Sequence, residues 1–503
     1  MRTDEARLAA YDTLRAVSDR DAYANLVLPK LLAERRLDAR DAALATELTY
    51  GALRGLGTYD AILAECVDRP LDQLDPEILD LLRLGAHQLL ATRIPPHAAV
   101  AATVDLAREV MHEGAARMVN AVLRRVGRDD LRGWVDRVAP DPDRDPEGYL
   151  AVDRAHPRWV VSALWDSLAE HRGADAAYQE IDPLLEADNA RPGVTLAARP
   201  GLSEQSELVK QGAEPGRYAP TAAYLGEGDP ARIEAVARGR AGVQDEGSQL
   251  VALALAAVPV DGAAVVPALA SREGGGSNRP TTEVGGDVAA AGRDGAGNAE
   301  AAGAEGGTGD DLWLDMCAGP GGKAALLAAV ASQRGARLVA AEIAPHRARL
   351  VKRALQPIHG LHKVVTADGT APPWRAGSFD RVLVDAPCTG LGALRRRPES
   401  RWRREPKDVE YLTELQKRLL DSALSSARPG GVVAYVTCSP HLAETRGVVS
   451  DVLAERGDIE QIDARPYVPG VPDLGDGPDV QLWPHLHGTD AMYLALFRRL
   501  RNR

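Results

Sequence analysis

Aromatic residues are scarce in this chain of 503 residues: they make up 4% of it, with only two phenylalanines. Cysteine is scarcer still, at four, and no two form a CxxC pair. That excludes a disulfide framework and argues against a structural zinc site, so no metal is expected. There is no excess of basic residues either. The 60 Lys and Arg stand against 72 Asp and Glu, a net charge of −12. Any nucleic-acid contact must therefore be a local patch. The longest apolar run, residues 250–260, is too short to span a bilayer. The opening residues carry charges where a secretory signal would be apolar. The expectation is a cytoplasmic protein with no membrane contact. What the chain does have is 45% hydrophobic residues, rich in Ala and Leu, beside 26% charged ones. That is a globular composition, and the length suggests about three domains.

Residues 1–130 read as all helix. Leu44, Leu48 and Ala52 share one face, as do Met118, Val122 and Val126. Asp75 followed by Pro76 reads as a cap with proline in the first turn, opening a helix to Leu90. The charged, proline-rich stretch 127–155 reads as a solvated connector. Residues 148–260 form a mixed linking segment, with helices near 159–168 and 245–257 and a strand at 194–197. Residues 262–310 form an insertion; its stretch 271–310 holds 12 Gly and 8 Ala and no Leu, Ile or aromatic residue. Such a composition cannot offset its ordering entropy, and disorder is expected. From 311 to 503 strands and helices alternate. Strands are expected at 312–316, 338–343, 364–366, 381–385, 432–437 and 492–497, with helices at 323–332, 345–355 and 411–427. This pattern predicts an α/β, mostly parallel sheet of Rossmann-like type behind an all-α domain.

Three loops at expected strand ends carry chemistry. The first is Cys317-Ala318-Gly319-Pro320-Gly321-Gly322-Lys323. Its glycines let a ligand approach the backbone, and Glu342 at the end of the next strand suits a ribose diol. It is neither a G-x-G-x-x-G dinucleotide turn nor a P-loop, because Lys323 is followed by Ala324. Asp368, just past the following strand, is placed to accept from an adenine amino group. The second loop runs from Asp385 through Cys388 to Gly392, and the third is Thr437-Cys438-Ser439-Pro440. In open α/β sheets ligands bind beyond the carboxyl ends of the strands. Two loop cysteines there, with a carboxylate, suit a thiolate addition to C6 of a pyrimidine, which activates C5 toward an electrophilic methyl group. Between these loops lie six arginines in ten positions: Arg395, Arg396, Arg397, Arg401, Arg403 and Arg404, with Trp402. This reversal of the chain's acidity reads as an RNA contact.

The runs CAGPGGK at 317–323, DAPCTGLG at 385–392, TCSP at 437–440 and HGTDAMYLALF at 487–497 resemble the RNA cytosine-C5 methyltransferases of the Sun/Fmu type. ELTYGALR at 47–54, LRLGAHQLL at 82–90 and VNAVLRRV at 119–126 resemble the NusB-like RNA-binding domain of its small-subunit ribosomal RNA (methyltransferase B) members. The resemblance implies S-adenosyl-L-methionine along 317–323, with Glu342 on the ribose, Asp368 near the adenine and Asp385 near the methionine and target base. It implies Cys438 as nucleophile, Cys388 as the residue that assists release, and a monomer whose partner is small-subunit ribosomal RNA. Transfer RNA as substrate, a non-catalytic ribosome-assembly role, and methylation of an exocyclic amine or protein side chain are the competing readings. After TCSP the family's Pro-Glu-Glu-Asn run is replaced by His441-Leu442-Ala443-Glu444-Thr445.

Overall fold

The computed structural model describes residues 4–226, 228–262, 309–360 and 362–501. The expected insertion falls almost wholly outside them. The residues that flank it meet at one side chain: Arg428 donates from Nη2 to the carbonyls of both Asp261 (3.2 Å) and Gly309.

The amino-terminal part is all helical, as its periodicity predicts. Its helices are Glu5–Arg20, Ala24–Glu34, Ala39–Arg54, Leu56–Cys66, Pro76–Ala91, Pro96–Val110 and Glu113–Val126. Pro76 and Pro96 occupy first turns, where a missing N–H costs no hydrogen bond. The apolar stripes meet in one core containing Leu48, Ala52, Leu81, Leu84, Val119 and Leu123. The stretch read as a connector is not one. It folds into two short helices, Leu131–Val138 and Pro146–Asp153. Asp130 and Asp145 cap them, accepting from Gly133 N (2.8 Å) and Gly148 N (3.0 Å). Trp134 is buried and donates to the Val126 carbonyl at 2.7 Å, which joins the first of them to the helical core. The charges occupy the outward face, and the composition hid the short apolar one.

The linking segment holds a helix pair, Arg158–Arg172 and Ala174–Asn189, and a small antiparallel sheet. The sheet is built from β1 (Val194–Ala198), β2 (Glu214–Pro215), β3 (Ala222–Leu225) and β4 (Ala241–Val243), in the order β2-β3-β1-β4. Only β1 was expected. The others are only two to four residues long, too short for an alternating pattern to show, and are fixed by pairing with β1 or with each other.

The large sheet comprises β5 (Leu312–Asp315), β6 (Arg337–Glu342), β7 (His362–Thr366), β8 (Phe379–Asp385), β9 (Ala427–Thr437), β10 (Ile459–Ile462), β11 (Val480–Gln481) and β12 (Tyr493–Arg499). Its order is β10-β12-β9-β8-β5-β6-β7, with β11 paired to β12. The five strands from β9 to β7 run parallel; β12 pairs antiparallel with β9, and β10 and β11 pair antiparallel with β12. Side chains alternate between two cores. Trp313, Leu383, Ala434 and Val436 meet the helices Glu246–Ala257 and Gly322–Gln333, while Leu314, Val382, Val433 and Tyr435 meet Pro406–Ser426 and Arg446–Glu455. With both faces covered, polar chemistry is confined to the strand ends. The chain runs one way from β5 through β6 to β7 and then returns to place β8 on the other side of β5. The crevice at that reversal, beyond the carboxyl ends, is where a ligand fits.

Arg381 on β8 locks the helix Glu246–Ala257 to the sheet. It is 3% exposed, pairs with Asp310 at 2.7 Å, and donates to the carbonyls of Leu255 (2.6 Å) and Val258 (2.7 Å). Arg381→Leu takes the close ion-pair partner from a buried carboxylate, which keeps the Trp313 indole N–H at 2.7 Å, and removes the donor to two carbonyls. We expect a loss of about 3–5 kcal/mol, read as a lower denaturant midpoint for this domain.

Candidate active site

Five strand ends converge on one pocket of about 440 Å³. Cys317, Gly319, Pro320 and Lys323 come from the loop after β5, Glu342 from the end of β6, Asp368 from beyond β7, Asp385 and Cys388 from β8, and Cys438 from β9. The structure thus brings together residues spread over 122 positions of sequence, from 317 to 438.

The loop after β5 is held against Glu342. Gly319 N donates to Glu342 Oε2 at 3.0 Å, and Arg347 Nη2 donates to the Gly319 carbonyl at 2.7 Å. A Cβ at Gly319 would lie 2.1 Å from Glu342 Oε2, so glycine is required by the close approach. Asp368 Oδ1 accepts from Thr370 N and Oγ1, both at 2.8 Å, which fixes its carboxylate at the pocket edge. Met316, Ile343, Ala367, Leu415 and Leu419 give the pocket apolar walls. Two carboxylates beside an apolar slot suit a nucleoside with hydroxyl and amino donors. Cys317 lines the same slot, but burial, reinforced by Asp315 and Asp385, pushes its thiol well above the ordinary value. It is an inert wall. Beneath it Asp315 is 1% exposed, and burial, then the Asp385 charge, pushes its carboxyl up to about 8.

Lys323 Nζ donates to Asp385 Oδ2 at 2.9 Å. Burial opposes the ammonium, but the Asp385 carboxylate outweighs it and the Lys323 pKa lies above its usual value. The two loop cysteines lie with Sγ atoms 3.4 Å apart, and both are free thiols. They titrate as a pair. The hydrogen bond between them, with burial, holds Cys388 well above the ordinary thiol value, and the same bond holds Cys438 below it. The pair thus favours the proton on Cys388 and the thiolate on Cys438. Lys323 adds to the stabilisation of Cys438.

The sequence offered no signal for two further participants. Glu444 is fully buried and accepts from Thr389 N (2.8 Å), from Thr389 Oγ1 (2.5 Å) and from Gln416 Nε2 (3.1 Å). Thr389 Oγ1 also meets Ser439 Oγ at 2.9 Å. One carboxylate thus clamps the loop of Cys388 against that of Cys438. Glu444 lies within the run that departs from the family pattern, and only the fold gives it this role. Gly392 completes the clamp. Its N donates to the Cys438 carbonyl (2.9 Å) and its carbonyl accepts from Ala491 N (2.8 Å); a Cβ there would lie 2.1 Å from Ala491 O. The second participant is Tyr23, which reaches the pocket from the helical amino-terminal part.

The arginine run divides: Arg396, Arg397, Arg403 and Arg404 line the pocket, whereas Arg395 and Arg401 turn inward, against the sequence reading. Arg395 and Arg401 are 8% and 0% exposed and do not reach outward. Arg395 pairs with Asp490 at 3.1 Å, and Arg396 with Asp245 at 2.6 Å. Arg401 donates to Asn189 Oδ1 at 2.7 Å and to the Ala155 carbonyl at 3.1 Å. Arg403 donates to the carbonyls of Ala22 and Val17. Glu399 accepts from Ala24 N at 3.1 Å, and Trp402 fills the space above Gly57. The run is a strap that joins the helical part to the sheet. Arg397 and Arg404 line the pocket and form no ion pair or hydrogen bond with a carboxylate among the described residues. Arg397 and Arg403 stand over the Tyr23 ring at 5.0 and 4.9 Å.

Among the described residues no group of His, Cys, Asp and Glu could hold a metal ion, and no helix is long and apolar enough to cross a membrane. Two family models match the chain: 16S rRNA methyltransferase RsmB/F over residues 307–498, and the NusB family over residues 4–128. Rv1407 of Mycobacterium tuberculosis (strain ATCC 25618 / H37Rv), a methyltransferase by name only, is 49% identical over 500 residues, covering 99% of this chain and 97% of that one. The ribosomal RNA small subunit methyltransferase B of Shewanella oneidensis is 30% identical over 461 residues, covering 91% of this chain and 90% of that one. The crystal structure of PH0851 has a TM-score of 0.73 at 18% identity, covering 99% of both chains, a likeness of fold.

The thiol pair sets a pH dependence. Because Cys388 donates, alkylation of Cys438 by iodoacetamide should rise below the pH of an ordinary thiol. Cys388→Ala removes the donor, so the midpoint should move to higher pH. Mass spectrometry of the alkylated peptides across pH measures it; an unmoved midpoint would show that Cys388 does not donate.

Proposed function

The chain belongs to the RsmB/F family of RNA methyltransferases, fused to a NusB-like helical domain, and on that premise we propose that it forms 5-methylcytosine in small-subunit ribosomal RNA through a covalent adduct with Cys438. The observation that carries this reading is the thiol pair 3.4 Å apart in one pocket with the Lys323–Asp385 ion pair. A methyltransferase acting on an exocyclic amine has no use for either thiol.

The pocket's residues fit S-adenosyl-L-methionine. The loop from Cys317 to Lys323, with Ala318, Gly321 and Gly322 in its backbone, would hold it, with Glu342 on the ribose, Asp368 toward the adenine amino group and Asp385 at the methionine end. When bound, it supplies the electrophilic methyl group that C5 of the base accepts. The target cytosine must leave its stack to enter the pocket. Cys438, as thiolate, forms a bond to C6; the C5=C6 electron pair shifts toward C5 and N3 takes a proton from the Lys323–Asp385 pair. After C5 is methylated, water removes the C5 proton, the C6–S bond breaks and C5=C6 reforms. The N3 proton returns to the pair. Cys388 donates its S–H to the departing Cys438 thiolate, which lowers the barrier to release. Arg397 and Arg404 contact the RNA backbone at the pocket mouth, while Arg395, Arg396, Arg401 and Arg403 maintain the strap.

Methyl transfer from labelled S-adenosyl-L-methionine to 16S ribosomal RNA without modifications tests the reading. Label at C5 of one cytosine is expected with the wild type and none with Cys438→Ala. Label on transfer RNA alone would overturn the substrate, and none on either RNA despite cofactor binding would favour an assembly role. Cys388→Ala should accumulate a covalent RNA adduct, visible as a retarded band in a denaturing gel. No adduct would remove Cys388 from the release step.

A further inference from the structure

Between Glu342 and Asp368 the chain has no acidic residue: positions 343–367 hold three Arg, two Lys and three His. With 72 acidic residues in 503, 25 positions at the chain's own frequency would carry about three or four. Folded, this stretch is the helix Pro345–Leu355 followed by β7, an edge strand of the large sheet. The helix buries Ala348, Val351 and Leu355. The spacing that buries them turns Arg349, Lys352, Arg353 and Gln356 outward, where all four are exposed. With His362 they line a cleft of about 640 Å³. No side chain of Arg349, Lys352, Arg353 or Lys363 forms an ion pair or hydrogen bond among the described residues. Cations on an edge strand also discourage edge-to-edge pairing, which accounts for Lys363. It does not account for three cations on the covering helix.

The contrast with the 395–404 strap is decisive. There Arg395 and Arg396 face Asp245 and Asp490; here Arg349, Lys352 and Arg353 have no carboxylate partner among the described residues. The helix itself begins at the catalytic pocket: Arg347, in its first turn, lines that pocket and donates to the Gly319 carbonyl at 2.7 Å. From Arg347 to Gln356 the helix rises about 13 Å.

We propose that the outward face of the helix Pro345–Leu355, with the adjoining end of β7, is a track for the phosphate backbone of the RNA strand beyond the target nucleotide. This rests on the RNA methyltransferase reading. Unpaired cations in a chain of net charge −12 place the phosphate attraction on one side of the pocket and so fix the direction in which the strand leaves it. An acidic protein surface is the competing occupant.

The test is the triple variant Arg349→Gln, Lys352→Gln, Arg353→Gln, whose exposed positions leave the core intact. Binding to a 16S ribosomal RNA transcript is measured against KCl, alongside methylation kinetics. Each lost phosphate contact lowers the slope of log K against log salt by about 0.7–0.9, so a fall of about 2 is expected. KM for the transcript should rise at least about tenfold at physiological salt, with kcat at saturating RNA and the Kd of S-adenosyl-L-methionine unchanged. An unchanged slope would overturn the track. An effect seen only with assembled subunits, and not with the naked transcript, would overturn it in favour of a protein partner. A wild type that binds the transcript but never methylates it would sink the activity reading, while the slope comparison would still judge the track.

Discussion

Two carboxylates and two guanidiniums hold the wall of this pocket. Asp245 and Asp490 are 8% and 6% exposed, and between them they engage Arg395 and Arg396 at 2.6–3.6 Å. Asp245 also accepts from Asp490 N at 3.0 Å and caps the helix Glu246–Ala257 by accepting from Gly247 N at 2.9 Å. Taking such charges out of water costs several kcal/mol per ion and is tolerated only when every partner is in place. The linking segment, the strap after β8 and the loop before β12 must therefore assemble together. Ala491, next to Asp490, donates to Gly392, and Gly392 donates to the Cys438 carbonyl. The position of the reactive thiol follows from the charge knot.

Inside that wall, burial alone would raise both thiols. The asymmetry comes from what surrounds them. Glu444 stands on the Cys388 side and favours the protonated form there, while Lys323 and the Cys388 S–H favour the thiolate of Cys438. Glu444 also sets the spacing by holding Thr389, which in turn meets Ser439. The bond between the thiols and burial set most of the asymmetry, and Glu444 adds to it while holding the two loops together. The change of sequence after TCSP leaves this clamp in place.

An acidic chain that handles RNA must keep its positive charge from cancelling internally. Arg395 and Arg396 fail that condition, because the carboxylates they meet lie 94 and 151 residues from Arg396 in sequence. No local reading pairs them. The quieter basic stretch meets the condition on the outward face of the helix Pro345–Leu355: Arg349, Lys352 and Arg353 have no side-chain ion pair among the described residues, while Arg347, at the pocket, meets Glu342 at 3.6 Å. Tyr23 joins the two halves of the molecule at the pocket mouth, where an aromatic face supports Arg397 and Arg403.

What the sequence determined by itself is local. Periodicity gave the amino-terminal helices and the buried parallel strands, since a 3.6- or 2-residue repeat records burial directly. The turns holding Gly319, Asp385 and Cys438 were legible because their residue types serve ligands poorly replaced by others. The helices at Leu131–Val138 and Pro146–Asp153 and the strands β2–β4 were not, because helices of eight residues and strands of two to four are too short for a repeat to show. Tertiary structure alone decided which cysteine carries the proton, which arginines are internal and that Tyr23 belongs to the pocket. Each depends on the distance between groups far apart in the chain, and electrostatic energy and desolvation are functions of that distance, not of residue type.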